Sequence, residues 1–309
     1  MDENNNASTK IVFSDELIND EIEQNGIRKC YDKTKKQKID ICNICGKTSQ
    51  LTWDHVPPKF CFNAGFVKYN SMMGKVDLSN KYSISQNGVK FRTICENCNN
   101  NLLGAKYDKE YKKLVDCLYN LYISKGKIPQ YIIIKGLKIN KIARAVVGHF
   151  LAAREDFCDS DIERELRKYF LDEMALPPKD LNLLYYTYRY NTMMIIRDIV
   201  PKHFGNLEYD VPNAFQSCLN TFPIAFILAN ECENKCGLYD MFEICTSNIE
   251  EKIDIKIDLL SYLYPNHKHE RDPYWPCNVN DSETGTSIIL TSETGQRNSV
   301  LSDIRELKK

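Results

Sequence analysis

The chain has 309 residues, 43% of them hydrophobic and 27% charged, with a formal net charge of −1. That length allows two domains with substantial cores, and no apolar run approaches the roughly 18 residues that a helical membrane span needs. The 13 cysteines are an odd number, and four stand in C-x-x-C pairs rather than as a disulfide framework, so a reducing, cytoplasmic compartment is expected.

The near-zero net charge hides an asymmetry. Residues 28–154 hold 24 Lys/Arg against 8 Asp/Glu, residues 1–27 hold 1 against 7, and residues 155–309 hold 16 against 27. A basic field on one section attracts phosphate backbones with salt-sensitive affinity. A solvated lysine-rich surface has the same composition, so charge alone does not separate the two.

In chain order, residues 1–38 read as a polar, flexible segment, with Ser14 able to cap a short helix. Its acidic start is the opposite of a secretory leader. Cys42-Asn43-Ile44-Cys45-Gly46 then forms a metal-type knuckle. Gln50–Trp53 suits a strand, Pro57-Pro58 must end any ladder, and residues 60–80 read as loop. Tyr82–Ile94, with Gln86-Asn87-Gly88 at its middle, predicts a β-hairpin. A helix is expected from Cys98, capped by Asn99, and a helical stripe follows at Tyr107, Tyr111, Leu114, Val115, Leu118, Tyr119 and Tyr122.

After Pro129 the character changes. Tyr131–Ile134 reads as a strand and Ile139–Ala153 as a helix whose Ile142, Val146 and Phe150 share a face; His149 on it reads as a core residue. A helix over Asp161–Glu173 ends before Pro177-Pro178. Strand-type runs follow at 183–190, 193–200, 222–228, 238–245, 253–260 and 287–291. Their alternation with turn residues predicts a mixed, mainly antiparallel α+β domain.

The chemistry lies in the first half. Cys42-x2-Cys45 and Cys95-x2-Cys98 each place two thiolates on one tight turn, and together they predict one four-cysteine structural zinc site. The 49 residues between the pairs exceed a short zinc ribbon and must carry something more. A second set, Cys232-x3-Cys236 with Cys245, His267, His269 and Cys277, matches no knuckle spacing.

Cys42-x2-Cys45, Leu51-Thr52-x-Asp54-His55-Val56-x-Pro58 and Cys95-x2-Cys98-Asn99, in that order, resemble the zinc-bearing branch of the HNH (ββα-metal) endonucleases. The resemblance covers residues 40–105. It implies a zinc-stapled ββα-metal module, residues 39–126, followed by the α+β domain of residues 127–309. It also implies a hydrolase that cuts nucleic acid, DNA ahead of RNA. By resemblance Asp54 and Asn99 would bind a catalytic divalent metal through oxygen, which suits Mg²⁺ or Mn²⁺, and His55 would be the general base. The asparagine that orients this histidine in the family is replaced by Lys90; Asn87, Asn80 or a backbone carbonyl are the candidates to stand in. Companion domains accompany such nucleases in restriction and anti-phage defence, and the acidic C-terminal domain is expected to gate activity, bind a partner protein or recognise the substrate. No membrane partner is expected. The alternative from another class is a non-catalytic zinc module that binds nucleic acid or protein.

Overall fold

The computed structural model describes residues 34–65, 67–71, 83–124, 127–190, 192–197, 215–230, 238–259 and 287–291. The Ser14 helix and Cys232, Cys236, His267, His269 and Cys277 lie outside them.

Three antiparallel strands open the fold. β1 (Ile39–Ile41) pairs with β2 (Thr48–His55), which pairs with β5 (Lys90–Cys95). The β1–β2 turn is the first knuckle itself. Gly46 takes φ +69° and donates its N–H to the Cys42 carbonyl at 2.9 Å, a left-handed conformation that a Cβ would oppose. β5 ends on Cys95, and the chain winds at once into a π-helical segment, Asn97–Tyr107, continued by α1 (Asp108–Ile123). Both knuckles therefore sit at one end of the small sheet. The buried residues of this long helix include Tyr107, Tyr111, Leu114, Val115, Leu118 and Tyr122, so the aromatic stripe is core.

The expected hairpin over 82–94 does not form. β4 (Ser83–Ser85) pairs with β3 (Val67–Ser71), which lies within the stretch read as loop, while β5 pairs with β2. Gly88 does take φ +70°, but not to turn one strand back on the next. It presses on Asn63, where a Cβ would fall 2.5 Å from the backbone oxygen.

Behind the small sheet lies α2 (Ile139–Ala152), buried along almost its whole length, Asn140, Arg144 and His149 included. It packs against α1 and against α3 (Asp161–Leu171). Gly148 permits that approach: a Cβ there would meet Phe170 at 2.5 Å and Leu103 at 2.7 Å. The C-terminal end of α2 is tied to the knuckle sheet. Asn43 Nδ2 donates to the Leu151 and Arg154 carbonyls at 3.3 and 2.8 Å, and Thr93 Oγ1 donates to the Ala152 carbonyl at 2.6 Å.

The remaining strands are β6 (Tyr131–Leu137), β7 (Leu181–Thr187), β8 (Met193–Arg197), β9 (Phe215–Asn220), β10 (Ile224–Asn230), β11 (Tyr239–Asp240), β12 (Ile253–Asp258) and β13 (Ser287–Thr291). β12 pairs with β6 alone. The other six join β3 and β4 in one eight-stranded sheet, ordered β11-β7-β10-β9-β8-β13-β3-β4. All named strand pairs are antiparallel, so the chain is α+β as expected. β9 is a strand the sequence reading passed over, and the run at 238–245 shortens to two strand residues and a 3₁₀ turn. β3 and β4, from the first 126 residues, join strands of the second half through β13. One core cluster likewise takes side chains from both, from Cys42 to Leu259.

Candidate functional site

The four knuckle cysteines converge. Cys42, Cys45, Cys95 and Cys98 can each offer a sulfur such that all four lie within 4.8 Å of one another, the size of a tetrahedral thiolate shell. Backbone N–H groups point at the sulfurs, as where the Cys95 N–H donates to Cys42 Sγ at 3.2 Å. The thiols differ in acidity. Cys42 is pulled down to about 5, chiefly by a hydrogen bond from Cys98, whereas burial pushes Cys45 up to about 11 and the bond to Cys42 raises Cys98. Thiolate stabilisation at such a crowded point fits a dication, and zinc fits this donor set.

The other end of β2 carries Asp54 and His55. Alternation along a strand sends neighbours to opposite faces: Asp54 stands opposite the buried Phe91, while Trp53 and His55 stand opposite Arg92 and Lys90. His55 is half-buried, and its Nε2 lies 2.9 Å from the Asn87 carbonyl. A carbonyl only accepts, so Nε2 carries the proton and Nδ1 keeps its lone pair. Burial pulls the His55 pKa below its ordinary value, opposed by the Asn87 carbonyl and aided by Lys59 and Lys90, so the ring is biased toward the neutral form. Among the described residues the group that meets this ring nitrogen is a backbone carbonyl and not the Asn87 side chain, while Asn80 lies outside them. The support of that carbonyl is Asn63. That fully buried amide donates to the Pro57 carbonyl at 2.5 Å and the Val89 carbonyl at 2.9 Å, and accepts from the Val89 N–H at 2.7 Å.

Asn99 does not cap the helix: the helix starts two residues earlier without a side-chain cap. Its Nδ2 instead donates to Thr52 Oγ1 at 3.0 Å and the Trp53 carbonyl at 3.1 Å, which holds the helix start against β2 one residue before Asp54. Its Oδ1 is left without a described hydrogen bond, a free amide oxygen of the kind a divalent ion takes. The Asp54 carboxylate is 12% exposed and bonds to neither Asn99 nor His55. Its Oδ2 is buried without a hydrogen-bond partner and faces His149 Nδ1, 3.5 Å away. On the far side of the ring, Nε2 meets Asp108 Oδ1 at 3.0 Å. A buried carboxylate oxygen without a donor fits a bound cation, so Asp54 suits the ligand role. Burial alone would discharge the His149 ring, but Asp108 and Asp54 overcome it and lift its pKa to about 10.

His149, Asp108 and Asn63 are the site residues that sequence reasoning missed. His149 sits in an apolar helix, Asp108 resembles a first-turn acid favouring a helix dipole, and Asn63 lies in a stretch read as loop. Each acquires meaning only through partners far along the chain. Outside the site, Trp53 is 40% exposed, with Arg92 Cζ and Lys90 Nζ at 5.4 and 5.9 Å from its ring centre. A surface cleft lined by Asp161, Glu165, Lys168, Tyr169 and Asn230 shares no residue with these groups.

Among the described residues no helix is long and apolar enough to cross a membrane. No protein-family model, curated protein or solved structure matches this chain.

Proposed function

We propose that the chain is a metal-dependent endonuclease of the HNH type, hydrolysing phosphodiester bonds in nucleic acid, with DNA the preferred substrate. The observation that carries this reading is the His55 ring. It has a tautomer fixed by a carbonyl, a lone pair at Nδ1, a bias toward the neutral form, and Asp54 beside it in sequence. A general base at neutral pH needs those features. In this reading Nδ1 takes a proton from the attacking water. Asp54 and the Asn99 amide oxygen would hold a divalent ion, Mg²⁺ or Mn²⁺, whose charge stabilises the phosphate and the leaving oxygen. The zinc set is structural, and it fixes the β2–helix junction that carries the other groups. Lys59, Lys90 and Arg92 on the His55 side supply positive charge for a phosphate backbone. A role as effector in restriction or anti-phage defence, regulated through the acidic C-terminal half, extends the same reading.

The test is plasmid nicking with Mg²⁺, Mn²⁺ or EDTA. His55→Ala should lower cleavage by about 10²–10⁴-fold while zinc content and nucleic-acid binding stay intact. Asp54→Ala should also inactivate, with partial rescue by high metal. Asn99→His should retain some cleavage and Asn99→Ala less. Parent-like cleavage by His55→Ala would transfer the reading to a non-catalytic zinc module that binds nucleic acid.

A further inference from the structure

Two buried polar atoms face each other in this site without a hydrogen-bond partner: Asp54 Oδ2 and His149 Nδ1, 3.5 Å apart. That separation is long for an N–H···O hydrogen bond, which runs to about 3.2 Å. It is close to the edge of a metal coordination shell. With metal–ligand bonds of roughly 2.1 Å, neighbouring donors lie about 3.0 Å apart in octahedral geometry and about 3.4 Å apart in tetrahedral geometry.

The far side of the ring points the same way. His149 Nε2 lies 3.0 Å from Asp108 Oδ1. Metal-ligating histidines almost always give their second ring nitrogen to a carboxylate or carbonyl, which fixes the tautomer and directs the other lone pair at the ion. The ring is fully buried, so no solvent competes for Nδ1. Its place over Asp54 is set by the ties from Asn43 and Thr93 to the last turn of α2.

We propose that His149 Nδ1 and Asp54 Oδ2 jointly bind a divalent transition-metal ion, with Asp108 as the residue that orients the ring. This rests on the nuclease reading in taking Asp54 as a ligand, and it alters that reading in two respects. It adds an imidazole ligand from α2, in the second half of the chain, to the Asp54 carboxylate and the Asn99 amide. That nitrogen donor suits first-row transition ions better than Mg²⁺, which takes oxygen.

The experiment uses the full-length, zinc-loaded protein titrated with MnCl₂. Free Mn²⁺ is followed by electron paramagnetic resonance, and ligand nitrogen is detected by electron spin-echo modulation. The expected result is one bound Mn²⁺ with imidazole-nitrogen modulation that persists in His55→Ala. His149→Gln should abolish the modulation and weaken binding by at least about tenfold. Asp108→Asn should keep the modulation and weaken binding by about 10–100-fold. Zinc content serves as the check that each variant is folded, and if His149→Gln fails it, the parent's modulation decides. Mn²⁺ bound without nitrogen modulation, yet lost in Asp54→Ala, overturns the His149 assignment and leaves the nuclease reading standing. A parent protein that binds no Mn²⁺ overturns both.

Discussion

Asn63→Ala tests how the general base is held. Asn63 makes three hydrogen bonds from a fully buried position, two to carbonyls and one from the Val89 N–H. After substitution the Val89 carbonyl keeps a bond from the Val56 N–H at 3.3 Å, but the Pro57 carbonyl and the Val89 N–H lose the partner described here. Each buried polar group left unsatisfied costs about 1–3 kcal/mol, so the loss for the two groups should be about 2–6 kcal/mol. At about 2–4 °C per kcal/mol, the scale of domains of some 150–250 residues, Tm should fall by roughly 4–24 °C, read by circular dichroism or scanning calorimetry. The functional consequence is separate. Val89 lies two residues beyond Asn87, whose carbonyl fixes the His55 tautomer, so loosening the segment frees the ring to take the wrong one. Nicking measured well below the variant's Tm should therefore drop by more than the unfolded fraction explains. An unchanged Tm together with parent-like nicking would refute both the hydrogen-bond accounting and the role given to the Asn87 carbonyl.

Three further outcomes follow from the same geometry. Metal analysis of the purified protein should find about one zinc, and serine at Cys42, Cys45, Cys95 or Cys98 should give unfolded or insoluble protein because site formation is coupled to folding; a soluble, folded, zinc-free variant would count against the structural role. Gly148→Ala should lower stability by about 1–3 kcal/mol through overpacking against Phe170 and Leu103, measured by urea denaturation, and a stabilised variant would contradict the close approach of α2 and α3. Binding of a DNA duplex should weaken steeply between roughly 50 and 200 mM salt, and a salt-independent affinity, measured by fluorescence anisotropy, would remove the basic 28–154 section as the binding surface.

Local patterns were legible where the signal is local. The C-x-x-C spacing gave the knuckles, and a 3.6-residue stripe from Tyr107 to Tyr122 gave the long helix and its buried side. Pairing was less legible. Asn87-Gly88 carries the signature of a tight hairpin turn, yet β5 has a better partner in β2, and Gly88 is used for close packing on Asn63. Asn99 shows the same limit: its suitability as an N-cap is a local property, whereas its actual bonds reach Thr52 and Trp53 across the sheet. His149 was the hardest to read. In sequence it is one polar residue in the mostly apolar run Ala145–Ala152, and nothing nearby distinguishes a packed imidazole from one aimed at Asp54.

The position of α2 bears on how the two halves relate. The sequence reading divides the chain into a zinc-stapled module over residues 39–126 and an α+β domain over residues 127–309. The knuckle, however, closes its polar groups on the companion half: Asn43 and Thr93 find their acceptors in the carbonyls of Leu151, Ala152 and Arg154. Asp54 faces a ring from the same helix. Buried amides and hydroxyls deprived of such partners cost about as much as the hydrogen bonds are worth, or more, so the zinc unit alone would be left with exposed apolar surface and unpaired groups at its centre. α2 in turn packs on α3, which anchors Arg197 of β8 through a buried ion pair with Glu163. A displacement in the large sheet therefore has a continuous packed route to α2, and any shift of α2 moves His149 relative to Asp54. In this architecture α2, from the second half of the chain, is a wall of the candidate site.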